Sequence, residues 1–214
     1  MAEKTISRLV RSPRVERLRI LYFINGFDPG GAEHGLLTLV ESGFFSGHDL
    51  RVMGICRGRG GLADALHASL GEGKLKIVDD GEDLTLRGCI LAAFELAREI
   101  GHFRPDAIVL SLKQANLIGR FALMAFPGIG CISFEHISRY RARRAKVIYG
   151  YLLRALSGRV GEVWADCRET LVSTRSYFKP GSRFWKFLLT ISARNGPKFT
   201  LSLCGQFLPV EVRR

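Results

Sequence analysis

The residues whose types and spacing best suit a chemical role form a glycine-rich turn, Asp28-Pro29-Gly30-Gly31-Ala32-Glu33. It lies between an apolar run, 19–27, and an amphipathic segment, 33–45. Glycine has no Cβ and tolerates positive φ, so the turn can lead a strand sharply into a helix whose unpaired N–H groups and positive dipole end face outward. That geometry suits a phosphate or another anion. Any tight strand-to-helix turn in an α/β domain also favours glycines, so the turn alone leaves both interpretations open.

Positive charge is concentrated in the last part of the chain. Residues 1–135 carry 16 Lys+Arg and 16 Asp+Glu, whereas residues 136–214 carry 16 and 4, which accounts for the net charge of +12. A block without acids, 136–161, contains the densest basic cluster, Arg141, Arg143, Arg144 and Lys146. Such a block can attract anionic lipid headgroups or phosphorylated ligands, or it can be a solvated face. Because no nucleic-acid recognition motif accompanies it, nucleic acid is not an expected partner.

Composition and length limit the class of protein. The 214 residues, 47% of them hydrophobic, are enough for one good core and too few for two full α/β domains. No uncharged apolar run is long enough to cross a bilayer, and residues 1–17 lack the apolar stretch of a secretion signal, which favours a cytoplasmic protein. Five widely spaced cysteines without C-x-x-C spacing predict reduced core residues, and neither a metal nor a cofactor is expected.

The elements that must position this chemistry alternate along the chain. The predicted strands are 19–24, 50–56, 74–78, 107–110, 129–134 and 161–165. The predicted helices are 33–45, 62–70, 84–100, 116–126, 141–156 and 168–178. In the helix 84–100, Ile90, Phe94 and Ala97 form one apolar stripe, with charged residues on the opposite face.

This alternation predicts an α/β fold with a single Rossmann-like, doubly wound parallel sheet. In such sheets ligands bind at the carboxyl ends of the strands, near the point where the strand order reverses. The loops that follow the predicted strands there are 25–33, 57–61, 111–116 and 135–139.

Several short motifs, taken in order over about 19–179, resemble the N-terminal domain of family 4 glycosyltransferases, which have the GT-B architecture. The residues that carry the resemblance are Gly30-Gly31-Ala32-Glu33, Gly47-His48-Asp49-Leu50, Gly60-Gly61-Leu62, Arg104-Pro105-Asp106, Ala115-Asn116-Leu117-Ile118-Gly119-Arg120 and Glu135-His136. Each motif is only a few residues long, and their shared order makes the resemblance specific.

The resemblance implies sugar transfer from a nucleotide-sugar to a sugar or lipid-linked acceptor, in a cleft between two Rossmann-like domains. The N-terminal domain mainly holds the acceptor, while its glycine loop, here Gly30 and Gly31, lies under the donor diphosphate. His136 corresponds to a histidine near the reacting sugar, where it could orient a hydroxyl or support developing charge; a loop histidine bonded to backbone is the alternative. The residues expected to contact the acceptor are Lys113, Gln114, Asn116 and Glu135.

The resemblance fails toward the C-terminus. The family continues with a donor-binding domain that carries a paired-glutamate element, for which this sequence has no room. The expected organisation is a polar tail, 1–18, a Rossmann-like domain, 19–181, and a linker with the first strand of a missing domain, 182–214. Where the family has phosphate-binding Arg and Lys, this chain has Gln206 and Glu211. Residues beyond 182 should be loosely attached, docked on the first domain, or partnered by another chain.

The sequence therefore predicts the acceptor-binding half of a glycosyltransferase, inactive or weak alone, with a second subunit as one source of the donor domain. The alternative is a peripheral module without catalysis that binds an anionic membrane at the inner face, or a lipid phosphate, through the cluster Arg141, Arg143, Arg144 and Lys146. A dehydrogenase-like domain is disfavoured, because the turn lacks G-x-G-x-x-G and the acid expected after the second strand is replaced by Arg57 and Arg59. Donor sugar, acceptor and stereochemical outcome stay open.

Overall fold

The strands of the chain join into one sheet in the computed structural model, which describes residues 17–136, 144–175, 178, 182–192 and 198–204. The strands are β1 Arg19–Ile24, β2 Asp49–Cys56, β3 Leu75–Asp79, β4 Ala107–Ser111, β5 Gly130–Glu135, β6 Glu162–Ala165, β7 Arg183–Ser192 and β8 Lys198–Cys204. The helices are α1 Gly31–Glu41, α2 Leu62–Leu70, α3 Leu86–Phe103, α4 Lys113–Ala122, α5 Arg144–Ala155, followed by a 3₁₀ turn Leu156–Arg159, and α6 Arg168–Thr174.

Strand β1 is buried on both faces, and its alternating side chains belong to two separate cores. Ile20, Tyr22 and Ile24 pack in the core that contains the buried leucines of α1 and α2. Leu21 and Phe23 pack in the core that contains the buried residues of α3 and α4. Because side chains alternate across a strand, a continuous apolar run is what a strand covered by helices on both faces requires. The predicted doubly wound α/β class is confirmed.

The strand order, β3-β2-β1-β4-β5-β6-β7-β8, reverses direction between β1 and β4. From β1 the chain proceeds outward to β2 and β3, then returns to place β4 on the other side of β1 in parallel register. Parallel pairing continues through β7, and β8 pairs antiparallel with β7. The carboxyl ends of β1 and β4 thus lie at the topological switch point, where ligands bind in open α/β sheets.

Helix α3 packs on the sheet through a different apolar stripe from the predicted one. The buried residues are Ala92, Leu96, Ile100 and Phe103, whereas Ile90 is 51% and Phe94 73% exposed. On the sheet side, Glu99 pairs with Arg51 at 2.7 Å and Glu95 with Lys76 at 2.6 Å. The buried residues themselves form an apolar stripe at helical spacing, with the ion pairs beside it, so the stripe predicted at Ile90, Phe94 and Ala97 is not the core-facing one.

The segment beyond residue 182 contains two strands, β7 and β8, which extend the sheet beyond β6. Arg183 of β7 lies opposite Glu162 of β6, and its guanidinium Nη2 is 3.1 Å from the buried Glu162 carboxylate. Of the three arrangements expected for this segment, the described part is docked on the first domain. Both β7 and β8 lie within 182–214, where the first strand of a missing domain was predicted, and the assignment of either strand to a missing domain stays a prediction. The predicted tail, 1–18, lies outside the described residues except for Arg17 and Leu18.

Candidate functional site

The glycine turn lies at the carboxyl end of β1 and begins α1. Gly30 is the N-cap residue of α1, with φ −134° and ψ 171°, and neither it nor Gly31 has positive φ, so the left-handed backbone that the pair would have allowed is not used. A Cβ at position 30 would lie 2.5 Å from the Glu33 carboxylate, so a side chain there would displace the end of Glu33. At Gly31 no atom of the described residues lies within 4 Å of where a Cβ would be. The start of α1 therefore opens onto free space at the rim of the sheet.

The loop after β2 holds this turn in place. Gly58 has φ +72°, and a Cβ on it would lie 2.6 Å from the Asp28 backbone nitrogen. The Asp28 carboxylate in turn accepts a hydrogen bond from the Arg59 backbone N–H at 2.8 Å. The loops predicted at 25–33 and 57–61 are thus brought together, with backbone packed directly on backbone.

Glu33 lies in the first turn of α1 and is 8% exposed. Burial raises the pKa of its carboxyl, and the nearby Asp28 carboxylate adds to that effect. A hydrogen bond from its own backbone N–H and the charges of His136 and His34 act in the opposite direction without cancelling it. The electrostatic coupling joins Glu33 to His136, which approaches from the end of β5.

His136 is held between an aromatic ring and a carboxylate. Its ring lies 4.1 Å, centroid to centroid, from Phe134, and its Nδ1 lies 3.5 Å from the Asp166 Oδ2. The Asp166 Oδ1 accepts a hydrogen bond from the Thr170 hydroxyl at 3.1 Å. Burial opposes ionisation of Asp166, but its contacts with His136, Thr170 and Cys167 outweigh burial and lower its pKa. We call Glu33, His136 and Asp166 the rim cluster.

A second polar cluster lies beneath the rim, between α4 and β5. We call Asn116, Arg120, Ser133 and Glu135 the inner network. The fully buried Arg120 guanidinium donates to the Ser133 hydroxyl at 2.8 Å and to the Asn116 side-chain oxygen Oδ1 at 3.1 Å, and it lies 3.5 Å from the Glu135 carboxylate. The Ser133 hydroxyl is 2.5 Å from the same Asn116 Oδ1 and 2.7 Å from the Glu135 carboxylate. These groups compensate one another's burial.

Two of the four residues predicted to contact an acceptor belong to this network. Asn116 is 1% and Glu135 6% exposed, and the Asn116 amide also donates to the Leu110 and Leu112 carbonyls at 3.2 and 3.0 Å. Their contact with an acceptor stays a prediction, which the burial of both side chains disfavours.

The other two predicted acceptor residues lie nearer the surface, at the start of α4. Gln114 is exposed and accepts a hydrogen bond from the Asn25 side chain at 2.7 Å. Asn25 also accepts from the Ala115 backbone N–H at 2.8 Å, so it links the ends of β1 and β4 across the switch point. Lys113 is half-buried, and its carbonyl accepts from the Tyr149 hydroxyl of α5.

The backbone just before α4 is strained. Leu112 has φ 70° and ψ 170°, a region that is almost exclusive to glycine and costs on the order of 1–3 kcal/mol. Such strain is concentrated at ligand-binding loops and active sites, so its position at the switch point agrees with a functional rim.

The sequence placed Asn25 in a selected loop and Arg120 in a recognised motif but gave neither a role, and Asp166 and Thr170 were missed. Asp166 comes directly after a strand, so the rule that selected the four loops could have selected it as well. The burial of Arg120 was not expected, because an arginine on an amphipathic helix is normally exposed.

Of the basic cluster, Arg141 and Arg143 lie outside the described residues, as do the side chains of Arg144 and Lys146 in α5. On the described part of that helix Ile148 is 65%, Tyr151 72% and Leu152 45% exposed. Among the described residues, no helix is long and apolar enough to span a bilayer.

No group of three or more His, Cys, Asp or Glu in the described part of the chain could hold a metal ion. The four cysteines whose side chains are described are free thiols, of which Cys56 and Cys131 are buried.

Solved structures share the fold. One is a UDP-N-acetylglucosamine 2-epimerase, with a TM-score of 0.57 and 13% identity over 81% of this chain and 48% of the epimerase. Another is Anabaena Alr3699/HepE in complex with UDP, with a TM-score of 0.60 and 12% identity over 79% of this chain and 43% of HepE. A third is the lipopolysaccharide outer core galactosyltransferase WaaB, with a TM-score of 0.56 and 11% identity over 82% of this chain and 47% of WaaB.

The chain thus spans less than half the length of these three structures, and its fold is GT-B-like. No family model matches the sequence, and no curated protein matches it.

Proposed function

We propose that this chain is the acceptor-side half of a nucleotide-sugar-dependent glycosyltransferase. In this proposal the start of α1, at Gly30 and Gly31, binds the donor diphosphate, and His136 contacts the reacting sugar. The donor domain comes from outside the described chain, as a further domain or a second subunit. Support comes from the GT-B-like fold and from the structural neighbours, among which are a galactosyltransferase and a protein solved with UDP.

One observation carries the proposal. The first turn of α1 opens onto free space at Gly31, at the carboxyl rim of the sheet and electrostatically coupled to His136 through Glu33. Helix N-termini attract anions through their unpaired N–H groups and the positive end of the dipole, so a diphosphate at this position would lie beside the histidine.

The test is the substitution Gly31→Ala, with UDP binding measured by calorimetry. The added methyl group meets no atom of the described residues and the backbone has negative φ, so the fold should persist. It occupies the space that a diphosphate needs, and we expect the Kd for UDP to rise about tenfold or more, which corresponds to about 1.4 kcal/mol.

Gly35→Ala is the matched control. Gly35 lies one turn further along α1, and an added methyl there also has no neighbour within 4 Å among the described residues. Both substitutions should stabilise the helix by roughly 0.5–1 kcal/mol. Equal UDP affinity in the two variants would contradict a diphosphate site at Gly31.

For the acceptor, we assign direct contact first to Gln114 and Lys113, which lie nearer the surface than Asn116 and Glu135. Because the chain spans less than half of its structural neighbours, we expect the purified chain alone to transfer no sugar from UDP-glucose or UDP-galactose. Transfer by the isolated chain would show that it needs no separate donor domain.

Helix α5 supports a second function, the binding of an anionic membrane. Three exposed apolar side chains, Ile148, Tyr151 and Leu152, follow the basic residues Arg144 and Lys146 on the same helix. An interfacial helix combines apolar anchors with basic residues in this way.

Sedimentation with vesicles tests this function. We expect binding to phosphatidylserine-containing vesicles that exceeds binding to neutral ones and is weakened by Ile148→Ser. Val172→Ser on α6, where Val172 is 59% exposed, is the control and should have no effect. Equal binding to anionic and neutral vesicles would remove the electrostatic part of this proposal.

A further inference from the structure

The imidazole of His136 is fixed by its surroundings more firmly than a loop histidine needs to be. Its side chain is only 7% exposed, one face lies against Phe134, and Nδ1 is directed at Asp166. The opposite nitrogen, Nε2, is buried and has no hydrogen-bond partner in the described part of the chain. One nitrogen is therefore held by a carboxylate, and the other has no hydrogen-bond partner among the described residues.

Asp166 is fixed in its turn. One of its carboxylate oxygens faces His136, and the other accepts the Thr170 hydroxyl from the first turn of α6. Thr170 is 1% exposed, so packing limits its motion. The lowered pKa of Asp166 keeps the carboxylate ionised at neutral pH, and an ionised carboxylate can only accept hydrogen bonds.

This chain of contacts determines where the proton of a neutral imidazole resides. Nδ1 faces an obligate acceptor, so it carries the hydrogen, and Nε2 keeps its lone pair. A bare Nε2 can accept a hydrogen bond from a hydroxyl, and it cannot donate one to a developing negative charge.

We propose that Asp166 and Thr170 are positioning residues that hold His136 in the Nδ1–H form, so that Nε2 accepts a hydrogen bond from a hydroxyl group of the bound sugar. This inference rests on the proposed function. It selects one of the two roles open to His136, orientation of a hydroxyl rather than electrostatic support of charge, and it adds two residues to the site.

The experiment is a long-range proton–nitrogen correlation spectrum of the full chain labelled with ¹⁵N-histidine, recorded where the imidazoles are neutral. His136 should show a protonated Nδ1 and an unprotonated Nε2. His48 provides an internal reference of the opposite kind, because its Nδ1 accepts the Leu18 backbone N–H at 3.3 Å and its proton must lie on Nε2. A wild-type His136 with its proton on Nε2 would overturn the inference without any variant.

Three variants test the cause. Asp166→Ala removes the acceptor, and the single His136 form should be replaced by a mixture of both. Thr170→Val should shift the population in the same direction by less. Asp64→Ala, which removes an exposed carboxylate that pairs with Arg57 at 2.6 Å, should leave His136 unchanged. A His136 spectrum unaffected by Asp166→Ala would show that Asp166 does not hold the tautomer.

Addition of UDP-glucose separates this inference from the proposed function. The Nε2 signal of wild-type His136 should shift on binding, and the shift should be smaller in Asp166→Ala. Binding of UDP-glucose with no change at Nε2 would overturn the hydroxyl contact and leave the nucleotide site intact. Absence of UDP-glucose binding in the wild type would contradict the diphosphate site that the proposed function assigns to Gly30 and Gly31, whatever the tautomer.

Discussion

The inner network and the rim cluster each contain a residue from the carboxyl end of β5, namely Glu135 in the network and His136, which directly follows the strand, in the rim cluster. The two clusters differ in how their buried polar groups are bonded. Glu135 points to the inner network together with Ser133, whereas His136 lies with Phe134 on the other face, which α1 covers. In the inner network, Arg120 and Ser133 bond to each other and to Asn116, both contact Glu135, and the Arg120 Nε is the one nitrogen without a hydrogen-bond partner among the described residues. In the rim cluster, the Nε2 of His136 has no partner among the described residues.

The pleat of β5 explains the division, because successive side chains of a strand alternate between the two faces of the sheet. Paired buried groups maintain a structure, whereas an unpaired buried nitrogen at the carboxyl edge of a parallel sheet is available to a ligand. From this difference we infer that substitutions in the inner network mainly reduce stability, and that substitutions at the rim mainly change binding.

The largest effect should come from Arg120→Met. The substitution removes the positive charge that lies 3.5 Å from Glu135, as well as the hydrogen bonds to Asn116, Ser133 and the Leu153 carbonyl. Because it removes the guanidinium that lies beside a buried carboxylate, we expect a loss of about 3–5 kcal/mol in the free energy of unfolding, measured by urea denaturation.

Arg98→Met is the control for that substitution, since Arg98 is 61% exposed and pairs with Glu95 on the surface of α3. Exposed pairs of this kind contribute about 1 kcal/mol or less. If Arg120→Met reduced the free energy of unfolding no more than Arg98→Met did, the inner network would not have the stabilising role that distinguishes it from the rim cluster.

The sequence predicted the fold well because burial on both faces leaves an unambiguous pattern. The run Arg19–Ile24 is apolar at consecutive positions, and the glycine turn after it marked the correct edge of the sheet. Single-residue roles were harder to predict. The motif that contains Asn116 and Arg120 was recognised, but whether its polar groups face a ligand or one another depends on how α4 packs against β5.

Helix α3 shows the same limit. Its sequence has two apolar stripes at helical spacing, the predicted one at Ile90, Phe94 and Ala97 and the buried one at Ala92, Leu96, Ile100 and Phe103. Either stripe could face a core. Which one does depends on how the helix packs against the sheet, and the helix pattern alone does not determine that packing.

The next largest effect should come from Gly58→Ala, which disrupts the packing of the loop after β2 on the glycine turn. At Gly58 both the positive φ of +72° and contact with the Asp28 backbone oppose a side chain. Gly73→Ala is the control, because Gly73 has φ +73° and no neighbour within 4 Å among the described residues. We expect the backbone clash to cost Gly58→Ala about 1–3 kcal/mol more than Gly73→Ala in urea denaturation.

Gly58→Ala should also weaken UDP binding, because the displaced turn begins α1, whereas Gly73→Ala should not. If the two variants had equal stability and equal UDP affinity, the packing of the loop after β2 on the turn would not define the site.

The smallest expected effect is the pH dependence of stability that comes from the two carboxyls of the rim cluster, Glu33 and Asp166. It compares two members of the same cluster. Burial raises the pKa of Glu33, so its contribution to stability is complete below the pKa of the unfolded chain and is lost as pH rises through the folded value. The pKa of Asp166 is lowered, so its contribution is present above the unfolded pKa and is lost as pH falls through the folded value. Urea midpoints measured across the acidic range should therefore show Glu33→Gln gaining on the wild type as pH rises and Asp166→Asn gaining on it as pH falls. The groups that act on Glu33, namely Asp28, His34 and His136, stay in place in both variants. If the urea midpoints of the two variants changed in parallel with pH, the two carboxyls would not have opposite environments.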